Sequence, residues 1–274
     1  MEYNKGFTLV SRNDVHYYII ENFEKTGLVK HLFTTRKGGV SPEPYYSLNL
    51  GIKTGDEVDN IKKNFLKVFE IIDTCKKNVV FSNQVHGTNI QIVDDEIFTN
   101  KINKKGFTYG VDGLITNIKN ITLVTFYADC VPIFFLDKGK QVVGLAHAGW
   151  RGTVKGIACK MIDVLIEKFN SQLEDILVGI GPSIGQCCFE VGEEVFREFE
   201  KVYPDIIDNI TQKNSDKYYI DLWETNRLIL EKKGILPSNI TISGLCTSCN
   251  TELFFSYRKE NGRTGRMAAL IKLI

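Results

Sequence analysis

With 274 residues, 43% hydrophobic and 24% charged, the chain can bury one large α/β domain or two small ones, and its composition is that of an ordinary globular protein. Its 34 Lys plus Arg balance 33 Asp plus Glu, so there is no net field to hold nucleic acid or an anionic membrane surface. The opening Met1-Glu2-Tyr3-Asn4-Lys5-Gly6-Phe7 lacks the apolar core of a secretory signal, no apolar run would span a bilayer, and seven widely spaced cysteines fit a reducing cytoplasm.

The first helix expected along the chain follows Gly55-Asp56. Val58, Ile61, Phe65, Phe69 and Ile72 recur at steps of three and four, which puts them on one face. Asp56 is the expected N-cap, its carboxylate accepting from free first-turn amides. Strands are then expected from Val79 to Phe81, Ile90 to Val93, Leu114 to Thr116, Thr122 to Tyr127, Ile133 to Leu136 and Val142 to Ala146. A second helix starts near Gly152, with Val154, Ile157, Ala158, Met161, Leu165 and Phe169 as its buried stripe. After it come a strand from Ile176 to Ile180, a short helix from Glu193 to Val202, and a helix from Leu222 to Lys232 that stops before Gly234 and Pro237. Strands from Thr241 to Leu245 and Ala268 to Leu273 complete the series. Several strands are apolar on both alternations, so both faces of their sheet should be covered. Between residues 79 and 147 strands follow one another with no long helix. That pattern predicts an α/β (α+β) fold in one domain over 1–274, built on a mixed sheet with helices packed outside.

Three side chains stand out as metal ligands: His86 in Asn83-Gln84-Val85-His86-Gly87, Cys130 in Ala128-Asp129-Cys130-Val131-Pro132, and His147 in Ala146-His147-Ala148-Gly149-Trp150-Arg151-Gly152. Each lies at or near the end of an apolar run, and Gly87 is expected to let the chain turn behind His86. Taken singly, each has a plain structural alternative: a satisfied loop His, an inert buried thiol, an ordinary strand–turn–helix joint. Together, two imidazoles and a thiolate suit zinc and leave its fourth tetrahedral position free, whereas a closed structural site would want four ligands. Asp129, beside the thiol, is the candidate to orient a ligand His or to move protons. Arg151 and the glycine-flanked turn into the following helix are candidates for holding an anion, as is Arg36 in Thr34-Thr35-Arg36-Lys37-Gly38-Gly39, a stretch that also reads as a simple hairpin turn. Phe254-Phe255-Ser256-Tyr257-Arg258 and Gly262-Arg263-Thr264-Gly265-Arg266 add aromatic faces and further Arg. His16 and His31 have the settings of structural or exposed residues. Cys246-Thr247-Ser248-Cys249 has no second Cys-x-x-Cys to form a zinc ribbon and opens no helix, so these thiols read as structural or pocket cysteines and not as a redox pair.

At these residues the chain resembles the YfiH-type family, often labelled laccase-domain or polyphenol oxidase proteins and also described as purine nucleoside phosphorylases with adenosine deaminase activity. The matching segments are Gln84-Val85-His86-Gly87, Asp112-Gly113, Ala128-Asp129-Cys130-Val131-Pro132, Ala146 to Gly152, Gly181-Pro182-Ser183-Ile184, Ser256-Tyr257-Arg258 and Thr264-Gly265-Arg266, in the family's order over most of the chain. The resemblance implies zinc on His86, Cys130 and His147, and a fold similar to the catalytic domain of cytotoxic necrotising factor, a cysteine hydrolase with a layered α/β/β/α core. It also implies a cytoplasmic enzyme that takes a nucleoside and phosphate, releasing base and ribose 1-phosphate from adenosine, inosine or methylthioadenosine and also deaminating adenosine. Arg36, Arg151, Ser256 and Arg258 are then the expected substrate-binding residues, and Cys130, His147 and Asp129 the catalytic ones. The rival reading is a cysteine-type amidase editing peptidoglycan precursors, with Cys130 as nucleophile and His147 as base. A copper-dependent polyphenol oxidase is the weaker alternative, because four His, two of them poorly placed, cannot build several copper centres.

Overall fold

The computed structural model describes residues 6–99 and 107–274. Residues 1–5, read above as free of an apolar leader, lie outside the described residues.

The described chain begins with elements absent from the expected series. Phe7–Arg12 and Val15–Ile20 form an antiparallel hairpin, and Val29–Thr34 pairs beside them. The hairpin turns on Asn13 and Asp14, both left-handed (φ 51° and 65°), the backbone a two-residue loop needs to match strand twist.

Two sheets build the centre. Among the described residues, one runs Phe7–Arg12, Val15–Ile20, Val29–Thr34, Met267–Leu273, Thr122–Tyr127, Val79–Asn83 and Phe107–Tyr109 from edge to edge. The other runs Ile240–Ile242, Ile176–Ile180, Val131–Asp137, Val142–Ala148, Gly113–Thr116 and Ile90–Ile92. Both mix parallel and antiparallel pairs, as the uninterrupted run of strands predicts. A small antiparallel sheet of Glu190–Val191, Lys217–Ile220 and Thr211–Asn214 lies apart from them.

The double apolar alternation of these strands reflects burial on two sides. Leu123, Tyr127 and Ile271 of the first sheet meet Phe134, Leu136, Val143 and Leu145 of the second in a shared core. Their strand neighbours face outward: Val124 and Leu270 pack under Ile61, Phe65 and Val68 of the helix Val58–Ile72. Ile133, Phe135 and Val178 pack under Ile157, Met161 and Leu165 of the helix Ile157–Phe169 and Leu230 of the helix Leu222–Lys232. The layers therefore run helix, sheet, sheet, helices. Each such side chain contributes about 1.5–3 kcal/mol when fully buried.

Three expectations change in detail. Asp56 does not cap the helix that follows it; the N-cap is Glu57, which makes no side-chain bond. The Asp56 carboxylate instead accepts from Ser41 Oγ (2.6 Å), Asn49 Nδ2 (2.9 Å), the Glu57 amide (2.8 Å) and the first-turn side chain Asn60 Nδ2 (3.3 Å), tying the loop to the helix start without capping a first-turn amide. The helix expected from Gly152 is two, Trp150–Val154 and Ile157–Phe169, broken where Gly156 takes a left-handed φ of 71°. The last expected strand of the second sheet is confined to Ile240–Ile242; residues 243–245 leave the sheet.

One topological feature positions everything below. The chain passes from the first sheet to the second three times through short links: from Val79–Asn83 to Ile90–Ile92, from Phe107–Tyr109 to Gly113–Thr116, and from Thr122–Tyr127 to Val131–Asp137. His86, Asp112 and Cys130 sit on these three links.

Candidate active site

The links bring the expected ligands together. The donor atoms of His86, Cys130 and His147 all lie within 4.8 Å of one another. The two imidazoles meet edge to face, with ring centroids 4.9 Å apart. His147 comes from the strand Val142–Ala148, and Cys130 immediately precedes the strand Val131–Asp137 paired beside it. Gly149 makes room for the trio: a Cβ there would stand 3.1 Å from Cys130 Sγ and 3.1 Å from His86 Cδ2. The sharp turn expected at Gly87 falls on His86 itself, whose φ is 60°.

What pins His86 in that conformation is Asp112. Its carboxylate accepts from the amides of Val85 (3.2 Å), His86 (3.0 Å) and Gly87 (2.8 Å). It also accepts from His147 Nδ1 at 2.9 Å, which leaves Nε2 for the trio. The His147 amide donates to the Asp112 carbonyl as well. One buried carboxylate thus orients both imidazole-bearing segments, the outer support a metal-ligating His requires. The sequence reading gave that role to Asp129. Asp129 is engaged elsewhere: it accepts from Thr247 Oγ1 (2.7 Å), from the Arg258 amide (2.7 Å) and from the Ser256 hydroxyl. Burial raises its carboxyl above the usual range, and those donors only partly offset it.

The electrostatics of the trio pair a thiolate with an imidazolium. Burial alone would push the Cys130 thiol up, but His147 and His86 beside it outweigh that and bring it down to about 6. Burial would likewise lower His147, while the Cys130 sulfur and Asp112 raise it to about 9. A metal ion held here would meet a ready thiolate and would have to displace the proton from His147 Nε2.

The trio forms the floor of a cavity of about 640 Å3. Phe126, Trp150, Phe189 and Tyr257 give it aromatic walls, and Lys53, Arg258 and Arg266 line it with positive charge. Asp129 is the acidic side chain among its lining residues. Arg258 also donates through Nη1 to the carbonyls of Cys188 (3.1 Å) and Glu190 (3.0 Å). Arg266 is half-buried, and burial pulls its guanidinium below the usual range.

Two expected anion-binding residues lie outside this lining. Arg36 is buried and held through Nε and Nη1: it donates to Tyr46 O (2.7 Å), Thr251 O (2.8 Å) and Glu260 Oε1 (3.0 Å) and stacks over Phe255. Glu260 in turn accepts from the Ser256 amide (2.9 Å), so Arg36 orders the turn that carries Tyr257 and Arg258. Arg151 is exposed and stacks on the Trp150 ring, 4.2 Å from its centroid. Ser256 is buried behind the wall and accepts from the Lys259 amide (3.1 Å). Arg266, in a segment expected to add Arg near the pocket, does line it, whereas Asp112, Lys53 and Phe126 have no place in the expected site. Asp112 and Arg266 stood in recognised motifs, but only the crossings between sheets reveal where their side chains arrive.

The sequence model of the family described as multi-copper polyphenol oxidoreductase laccase matches residues 30–274. The chain belongs to that family. Its relatives include the purine nucleoside phosphorylase YlmD of Bacillus subtilis, 40% identical over 247 residues (87% of this chain and 86% of the relative). A purine nucleoside phosphorylase of Bacteroides thetaiotaomicron is 32% identical over 92% of this chain and 94% of its own length. Among solved structures, the hypothetical protein YfiH of Bacillus licheniformis superposes with a TM-score of 0.90 at 36% identity, covering 98% of this chain and 99% of its own. YlmD from Geobacillus stearothermophilus gives the same TM-score and identity over 97% and 98%.

The His residues do not supply the several copper centres that the family's description names. Of the four His, only His86 and His147 reach the cavity. His31 is buried between the sheets, accepting from the Ile20 amide through Nε2 (2.7 Å), and His16 contacts the Asp14 carbonyl. Two imidazoles and one sulfur supply a single metal position, not the several His-rich centres of a multicopper oxidase. No helix among the described residues is long and apolar enough to cross a membrane.

Proposed function

We propose that this chain is a purine nucleoside phosphorylase whose cavity holds one zinc ion on His86, Cys130 and His147. One observation carries the reading: the metal-ligand trio, the aromatic walls and three cationic side chains line a single cavity of nucleoside size. The printed names of the relatives support it. A zinc ion held by the trio supplies a Lewis acid in the cavity floor.

The chain's own residues account for the rest. Phe126 and Tyr257 stack on the purine, and Arg266 with Lys53 holds inorganic phosphate. A phosphate oxygen attacks C1′ of the ribose as the C1′–N9 bond breaks. The bonding pair leaves with the purine, which takes a proton, and the products are free base and ribose 1-phosphate. Asp129 is the acidic group in the lining and is assigned to that proton. Its bonds to Thr247 and the Arg258 amide hold it still. The same cavity is proposed to accept methylthioadenosine and to deaminate adenosine.

Phosphate kinetics test the assignment of Arg266. Arg266→Ala should raise the phosphate KM by roughly 10–100-fold, the loss of one charge-assisted hydrogen bond of about 1.5–3 kcal/mol. Arg151→Ala should stay close to wild type. The opposite order would return phosphate to the helix Trp150–Val154.

A second reading rests on the line Cys130–His147–Asp112, which a metal-free thiol amidase would also use. Amide cleavage that persists after chelation of all metal would select it.

A further inference from the structure

The sequence offers Cys246 and Cys249 without a matching second pair. The fold supplies one from another quarter. Cys187 and Cys188 lie in the turn after the Gly181–Gly185 segment, and the Sγ atoms of Cys187, Cys188, Cys246 and Cys249 all fall within 4.8 Å of one another. Cys188 and Cys249 sulfurs are 3.4 Å apart, and Cys187 and Cys249 sulfurs 3.6 Å apart. A disulfide would need about 2.05 Å. Four sulfurs around a zinc ion at about 2.3 Å stand about 3.8 Å from each other, a separation that lies between the two short contacts and the 4.8 Å limit of the cluster.

We propose that these four thiols form a second metal site, a closed tetrathiolate position for a zinc-class divalent cation, separate from the open site on His86, Cys130 and His147.

The surroundings are built for it. The two turns are locked together by the bridge between Ser183 and Cys246, by the Ser183 amide donating to Leu245 O (3.2 Å), and by the Thr247 amide donating to Ser183 O (3.0 Å). The Gly185 amide donates to Cys246 Sγ (3.2 Å), the kind of N–H···S bond that steadies a thiolate. Gly185 must be glycine for this: a Cβ would stand 2.9 Å from the Trp223 ring and 3.4 Å from Cys187 Sγ. Four thiolates on a divalent cation leave negative charge, and the Arg258 guanidinium is hooked to the Cys188 carbonyl beside them. Four ligands fill a tetrahedron, so the site is structural and leaves no position for substrate.

Its position gives it a task. The turn of Cys187 and Cys188 lies between Ile184 and Phe189, both in the cavity wall. The turn of Cys246 and Cys249 carries Thr247, which holds Asp129. A cation here would clamp one wall of the cavity to the segment that fixes its carboxyl group.

The test uses the full chain purified under reducing conditions. A variant combining His86→Ala, Cys130→Ala and His147→Ala removes the open site. Titrated with cobalt(II), it should still develop intense near-ultraviolet thiolate charge transfer with the visible bands of a tetrahedral tetrathiolate. Adding Cys187→Ser and Cys249→Ser should abolish them. Unaltered protein gives an independent readout. With zinc saturating, Cys187, Cys188 and Cys249 should resist alkylation as read by peptide mass spectrometry, and chelation should expose them, while the exposed Cys75 reacts in both cases. Absence of the cobalt bands in the folded first variant, or equal alkylation of these three thiols with and without zinc, overturns the proposal.

Discussion

Asp112 and Gly149 carry more of the site than their chemistry advertises. Neither is a ligand, yet one orients both imidazoles and the other leaves the space the trio occupies. Asp112→Asn turns an acceptor toward three backbone N–H groups into a group that is half donor, so the His86 turn and the His147 ring both lose their anchor. It should weaken metal binding by roughly 10–100-fold with the fold intact, measured by competition with a chelator. Retention of wild-type affinity would mean that His147 needs no carboxylate. Arg36 supports a different expectation from the one its sequence setting raised. Because its Nε and Nη1 hold Tyr46, Thr251 and Glu260, Arg36→Ala should destabilise the protein by about 2–3 kcal/mol in denaturant unfolding. The phosphate KM of the folded fraction should change little, and a large rise would restore Arg36 to the binding site. The ligand trio was legible because His and Cys beside strand ends are few and chemically distinct. The destinations of Arg36, Arg151 and Arg266 were not, because a long flexible cation can be claimed by any carbonyl or ring the fold brings near.

At the level of elements, the strongly periodic segments were readable and the punctuation was not. The helices Val58–Ile72 and Leu222–Lys232 lie where their apolar spacing puts them. The stripe from Val154 to Phe169 reads as one helix because Lys155-Gly156 interrupts the backbone without interrupting the apolar order. Gly156 has no heavy atom nearer than 4.0 Å to an added Cβ, so Gly156→Ala meets only the cost of a left-handed φ. A loss of about 1–2 kcal/mol is expected in the unfolding midpoint, and a gain would mean that the two helices can fuse. The N-terminal strands escaped notice because their alternation is weak and their turn is Asn-Asp, without the glycine that usually marks a hairpin. The strand Val29–Thr34 buries His31 against Phe23 and Phe134, with Glu24 the acidic group facing its Nδ1 at 3.5 Å. Burial drives its pKa from 6.5 down to about 3, and the Ile20 amide donating to Nε2 leaves no lone pair there for a second proton. The unfolded chain therefore takes up a proton below about pH 6.5 that the folded chain refuses until about pH 3. This stability is complete above the unfolded value and is lost on acidification across that window, at up to about 1.4 kcal/mol per pH unit. His31→Gln keeps an acceptor for the Ile20 amide without titrating. Its stability should fall less steeply over the same window, and an unchanged slope would assign the acid sensitivity to other groups.

For the whole molecule, the deciding property is how often the chain changes sheets. A strand list can announce a mixed sheet, but it does not say that three short links cross at one end of a sandwich. That end gathers His86, Asp112 and Cys130 from segments far apart in sequence and sets them under His147. If the cavity is a phosphorolytic site, one product analysis reports on metal trio, aromatic walls and cationic lining together. Zinc-loaded protein is incubated with inosine, with and without inorganic phosphate, and the products are resolved by chromatography and 31P NMR. Hypoxanthine and ribose 1-phosphate should appear in equal amounts, only with phosphate present, and Cys130→Ala should abolish both. Inosine left intact by fully zinc-loaded protein, or cleaved to free ribose at the same rate without phosphate, would contradict the assignment.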